Sequence, residues 1–199
     1  MNFLAHIYLS GQSEEVIMGN FIGDFVKGSD LNAYPETMAM GIKLHREIDR
    51  YTDTHEIVHQ SKSLLREKYR HYAPVIVDIF YDHFLASSWS KRHYLPLRDF
   101  THKFYRLAEK YLDVIPKSAA RVLHYMKADN WLYHYGSIEG IDRALVGMSR
   151  RTTFQSKMDE AVHDLEKHYD HFKDHFDAFF PELTQFSKTF IEENQNGTA

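Results

Sequence analysis

The sequence predicts an all-α protein, and three observations carry that prediction. Apolar residues recur at three- and four-residue intervals along nearly the whole chain, the pattern of one buried helix face. Helix-start and helix-stop residues punctuate the pattern. After the first ten residues, no stretch alternates apolar and polar side chains as a strand does.

Taken in order, residues 1–10, MNFLAHIYLS, are apolar on both sides of His6 and too short for periodicity to separate helix from strand. Ser13, followed by Glu14 and Glu15, marks a helix start, and Gly28 after Lys27 marks its stop. Inside that helix Gly19 and Gly23 stand four apart, as do Asn20 and Asp24, so one edge is bare and the next polar. Each glycine costs a helix up to about 1 kcal/mol relative to alanine, a loss that close approach of another backbone or a ligand offsets. Residues 28–35 read as a loop. The chain is organised around the next stretch, TMAMGIKLHREIDRYTDTH at 37–55, a helix with Thr37 as its cap. Residues 56–72 form a further helix with a charged outer face. Pro74 opens VIVDIFYDHFLASSW, apolar nearly all round as a helix in the middle of a bundle must be. An amphipathic helix follows Pro96, another spans 118–135, and SIEGIDRALVGMSRR leads to Arg150 and Arg151. The last long helix is expected over 154–180, with Pro181 interrupting it. A short helix through Phe186 and Phe190 then gives way to a structureless tail at 193–199, leaving one helical domain over 1–192.

Composition narrows the chemistry. At 199 residues the chain suits a single domain. It has no cysteine, which removes disulfides, thiolate metal sites and cysteine nucleophiles and suits a reducing cytoplasm. Any metal must sit on His, Asp or Glu. The first residues lack the basic region of a signal peptide, and no segment approaches the roughly 18 apolar residues of a membrane span. A net charge of -4 argues against non-specific nucleic-acid binding, while a local basic patch remains compatible with an acidic partner.

Three groups of polar residues interrupt apolar faces. Met38, Ile42, His45, Asp49 and Asp53 share one stripe of the central helix, so an imidazole and two carboxylates continue a buried seam. Asp78, Asp82 and His83 lie in the most apolar helix, and Asp24 sits beside two glycines. Buried carboxylates need a cation, a hydrogen-bond network or a metal, and one divalent ion satisfies several of them together. Oxygen ligands with one or two imidazoles suit manganese or magnesium and also accept zinc or iron. Such a centre acidifies water and clamps phosphoester oxygens, and Arg46 is a candidate phosphate clamp. By contrast, His163, His168, His171 and His175 stand among Asp and Lys opposite an apolar stripe, as on a solvated face. There is no Gly-rich phosphate loop, serine-hydrolase elbow, H-E-x-x-H pair or matched Glu-x-x-His set of a di-iron bundle.

MNFLAH, GNFIGDFVKG, HREIDRYTD, YDHFLASSW and GMSRR, in that order, resemble the acyl carrier protein phosphodiesterases. The resemblance implies an all-helical fold distantly like the HD-domain phosphohydrolases, with manganese as the favoured cofactor and magnesium as a substitute. The implied reaction frees 4′-phosphopantetheine from a serine of holo acyl carrier protein. Asp24 falls on the family's essential aspartate, and His6, His45, Asp49, Asp82 and His83 fall on its other polar positions. The expected centre has metal on Asp24, His45 and Asp82, with His6 or His83 completing the set, while Asp49, Asp53 and Asp78 orient ligands or relay a proton. Carrier proteins are strongly acidic, so docking is expected on a basic surface drawn from Lys27, Arg46, Arg50, Lys91, Arg92, Arg150 and Arg151. Two other readings fit the residues: a metal phosphohydrolase acting on a nucleotide or small phosphodiester, and a non-catalytic module that binds carrier protein. The oligomeric state is open.

Overall fold

Helix α1 (Phe3–Tyr8) buries Leu4, Ala5, His6 and Ile7, so the ambiguous first ten residues fold as helix. Ser13 caps α2 (Glu14–Ile22) by accepting a hydrogen bond from the Val16 amide, and a 3-10 turn, Gly23–Phe25, extends it. These coordinates are a computed structural model that describes residues 1–196, and among the described residues there is no strand.

Helix α3 (Glu36–Thr54) packs on α2 through glycine. A Cβ on Gly19 would stand 2.0 Å from the Met38 carbonyl oxygen, and one on Gly41 would stand 2.4 Å from that of Val16. Backbone therefore lies on backbone, which is the close approach the spaced glycines of α2 imply. Thr37 is not the cap: Pro35 in an extended conformation sets the boundary and Thr37 lies in the first turn.

The remaining helices wrap α5. Helix α4 (Glu56–Tyr69) ends in a 3-10 turn over Arg70–Tyr72, and α5 (Ala73–Ser87) carries a proline in its first turn. Ile76, Val77, Ile79, Phe80, Tyr81, Phe84 and Leu85 are all buried, because α5 touches α1, α4 and the later helices α9 (Ile138–Ser149) and α11 (Tyr169–Asn196). Phe80 meets Phe172 at 5.1 Å and Phe84 meets Phe176 at 5.9 Å between ring centroids, pairs worth about 0.5–1.5 kcal/mol beyond their buried area.

Helix α6 (Leu97–Glu109) matches its amphipathic pattern. The helix expected over 118–135 is instead two, α7 (Lys117–Ala128) and α8 (Trp131–His134), because Asn130 takes a left-handed φ of 44°. After α9 (Ile138–Ser149) the chain is irregular through residue 157, so the last helix does not begin at 154. Helix α10 (Ala161–Lys167) comes first, and α11 (Tyr169–Asn196) then runs straight through Pro181. The missing amide hydrogen bond at Pro181 is outweighed by Phe179, Phe180 and Leu183, which anchor the helix in the core around it. Because α11 reaches Asn196, the tail expected from 193 is helical over its first four residues; 197–199 lie outside the described residues. Among the described residues no helix is long and apolar enough to cross a membrane.

Candidate active site

The site forms where α1, α2 and α3 meet. His6 comes from α1, Asn20 from α2, Asp24 from the 3-10 turn, and His45 and Asp49 stand one turn apart on α3. Gly23 makes room for the imidazole, since a Cβ there would lie 2.2 Å from the His45 ring. The two imidazoles stack with centroids 4.0 Å apart.

Asn20, fully buried, sets the state of both rings. Its Nδ2 donates to the His6 carbonyl (3.0 Å) and to Ser10 Oγ (2.9 Å), which fixes the amide orientation. Oδ1 must then accept from His6 Nδ1 at 2.8 Å, and the Asn20 carbonyl accepts from His45 Nδ1 at 2.9 Å. With both Nδ1 atoms donating, each neutral imidazole presents its Nε2 lone pair. Both Nε2 atoms face one carboxylate: His6 Nε2 is 3.2 Å from Asp49 Oδ1, and His45 Nε2 is 3.1 Å from Asp49 Oδ2; His6 Nε2 also lies 3.2 Å from the Met1 carbonyl oxygen. Asp24 Oδ1 stands 3.2 Å from the same His45 nitrogen.

Charge concentrates here. Hydrogen bonds with Asp24 and Asp49 outweigh burial and raise His45 to about 9. Burial, joined by the neighbouring His45 charge, lowers His6 to about 4. Although burial opposes it, the two imidazoles hold the Asp49 carboxyl far below the usual carboxylate range; the His45 hydrogen bond also lowers Asp24. Two carboxylates thus converge on one imidazole nitrogen and demand a cation between them, either the His45 proton or a metal. The donor atoms of His6, His45 and Asp49 lie within 4.8 Å of one another, and this nitrogen and oxygen set fits a divalent ion.

Several expected members lie elsewhere. Asp82 accepts hydrogen bonds from the Leu4 and Ala5 amides (2.8 and 3.2 Å), so it holds the start of α1 rather than joining the cluster. Burial raises its carboxyl to about 7 even against those bonds. His83 is also displaced from the expected set: Nδ1 donates to the Tyr135 carbonyl (2.9 Å), and Nε2 meets the Tyr169 hydroxyl at 3.1 Å. Asp78 and Asp49 flank the Met1 amine at 3.2 and 3.4 Å, and this pairing outweighs burial to raise the amine to about 10. Asp53 pairs with Lys62, away from the cluster. Arg46 is not poised as a phosphate clamp, because its guanidinium donates to the Val26 and Gly28 carbonyls and secures the loop after the 3-10 turn. Of the histidines in the last helices, His175 differs from the solvated face expected, since it is half-buried with Nδ1 2.9 Å from Ser61 Oγ.

Beside the cluster opens a cavity of about 770 Å³, with Asp24 on its wall and Phe3, Phe25, Trp131, Arg143 and Arg151 among its other lining residues. Asp24 is the exposed member of the cluster, with 66% of its side chain accessible.

The fold and the site define a class: a helical-bundle protein with a histidine-carboxylate centre at the wall of a ligand-sized cavity. A family model described as acyl carrier protein phosphodiesterase matches residues 1–183. Proteins named acyl carrier protein phosphodiesterase match from Photorhabdus laumondii, 34% identical over 93% of this chain and 94% of the relative, and from Escherichia coli, 32% identical over 93% and 96%. One from Klebsiella pneumoniae is 32% identical over 94% and 98%. The chain belongs to the acyl carrier protein phosphodiesterase family, and it is a phosphodiester hydrolase. No solved structure matches, so the distant likeness to HD-domain phosphohydrolases gains no support from that comparison.

Proposed function

We propose that this enzyme hydrolyses the phosphodiester between 4′-phosphopantetheine and the serine of holo acyl carrier protein, with a divalent ion held by His6, His45 and Asp49. The observation that carries the reading is the convergence of two imidazole Nε2 atoms and a carboxylate beside the exposed Asp24. What manganese, or magnesium in its place, supplies there is Lewis acidity toward a phosphoryl oxygen and a more acidic water. Asp24, ionised and facing the cavity, accepts the proton that the attacking water loses. The water oxygen bonds to phosphorus, the bond from phosphorus to the serine oxygen breaks, and the serine oxygen takes up a proton. Asn20 accepts from Nδ1 of both imidazoles, which leaves Nε2 of each ring as the atom that would hold the ion.

The acidic carrier protein docks over the end of α9. Arg143, Arg150 and Arg151 are exposed there and have no ion-pair partner among the described residues, whereas Arg50 and Arg92 are paired with Glu47 and Asp177. In keeping with the cysteine-free sequence, we place the enzyme in the cytoplasm. Chelation tests the metal. Protein dialysed against chelator is expected to release no phosphopantetheine and to regain activity with manganese or magnesium; full activity in chelator, with no metal detected in the protein, contradicts a metal centre.

A further inference from the structure

We infer that the cavity beside Asp24 is the subsite for the pantetheine arm of the substrate, a flexible chain of two amides and a gem-dimethyl carbinol ending in a thiol. The inference rests on the phosphodiesterase reading and adds where the non-reacting part of the substrate lies. At about 770 Å³ the cavity falls within the range of roughly 300–1,000 Å³ typical of small-molecule sites.

Three features suit this occupant. Phe3, Phe25 and Met148 give the wall an apolar character that matches the methyl and methylene groups of the arm. Asn130, held in its left-handed conformation between α7 and α8, has a buried Oδ1 with no hydrogen-bond partner among the described residues. A small rotation of the Asn130 side chain, which lines the cavity, would bring this oxygen to an amide N–H or hydroxyl of the arm. Arg151 lies over the Trp131 ring at 5.6 Å, and neither Arg151 nor Arg143 has an ion-pair partner among the described residues, leaving guanidinium donors available to the phosphate end. Together these give an anionic end, an amide-bearing middle and an apolar flank their counterparts in one cavity that shares Asp24 with the cluster.

Gly147 of α9 gives a direct test. It lines the cavity, and a Cβ built on it meets nothing within 4 Å, so larger side chains there cause no clash at the backbone. In the series Gly147→Ala, Gly147→Leu, Gly147→Trp, kcat/KM on holo carrier protein is expected to fall progressively, at least tenfold at leucine, with the melting temperature maintained. In parallel, pantetheine without phosphate or protein is titrated while tryptophan emission is followed, since Trp131 lines the cavity and the other tryptophan, Trp89, is buried elsewhere. The wild type is expected to show a saturable change that Trp131→Phe loses and that Gly147→Leu weakens at least tenfold. Cleavage by folded Gly147→Leu at the wild-type rate, with unweakened pantetheine binding, overturns the subsite and leaves the phosphodiesterase reading standing. If the wild type binds pantetheine saturably, is blocked at Gly147, yet cleaves no carrier protein, the subsite stands and the reaction falls.

Discussion

One asparagine governs two imidazoles. Asn20 spends its side-chain oxygen on His6, its main-chain oxygen on His45 and its amide group on the His6 carbonyl and Ser10. Asn20→Ala leaves these buried partners unsatisfied, and unfolding in urea should show a loss of about 2–4 kcal/mol. Because the ring states relax, calorimetric titration should also show manganese binding weakened about 10–100-fold. Asp82 gives the contrast. Asp82→Ala removes the acceptor for two amides at the start of α1 and should cost about 2–3 kcal/mol, yet leave the stoichiometry of manganese binding unchanged. Loss of the ion in Asp82→Ala would return that residue to the ligand set. Both assignments were only half legible in the sequence. Asn20 shows as a polar residue four before Asp24, but its partner His45 lies 25 residues away; Asp82 reads as a buried charge because its partners lie 77 and 78 residues away. Periodicity reports which face a side chain occupies and cannot report what another helix brings to it.

At the scale of helices, α3 was the most legible element, since its stripe from Met38 to Asp49 sets both His45 and Asp49 at the site. Its meeting with α2 was partly so: the glycines of α2 signalled a close neighbour, while Gly41 as the opposing surface carried no periodic signal of its own. Gly19→Ala would place its Cβ 2.0 Å from the Met38 oxygen and must push the helices apart. We expect a loss of about 1–3 kcal/mol in stability together with a fall in turnover, because Asn20 and His45 are carried on the two displaced helices. Thermal unfolding and carrier-protein hydrolysis measured on the same preparation check both. Two of the helix boundaries that sequence misplaced fall at Asn130 and Pro181. At Asn130 a left-handed residue breaks an apolar pattern that continues across it, and at Pro181 core packing sustains a helix that local propensity would end.

For the molecule as a whole, charge ties stability and partner choice to conditions. In metal-free protein His45 rises from 6.5 to about 9, so its contribution to stability is complete below pH 6.5 and is lost as pH climbs through 9. His6 falls from 6.5 to about 4, so its contribution is present above pH 6.5 and is lost as pH drops toward 4. His45→Gln should flatten the alkaline limb of stability measured in urea, whose slope for a single proton is about 1.4 kcal/mol per pH unit. An unchanged alkaline limb would show that the His45 proton is not what the two carboxylates hold. Docking is a property of surface charge. Because a net charge of -4 must still receive an acidic partner, Arg150→Glu with Arg151→Glu should raise KM for carrier protein severalfold and blunt its salt dependence, and steady-state kinetics at two ionic strengths would detect it.

The central claim is that the His6, His45 and Asp49 cluster with Asp24 is the hydrolytic centre for the carrier-protein phosphodiester. It is tested most directly by weighing holo carrier protein after incubation with wild-type enzyme and with Asp49→Asn and Asp24→Asn, each with and without manganese. The account predicts metal-dependent loss of the whole phosphopantetheine mass with wild type, leaving intact serine rather than a residue one water lighter, and an unchanged mass with either folded variant. Unchanged holo carrier protein with wild type, or full cleavage by both variants, would contradict it.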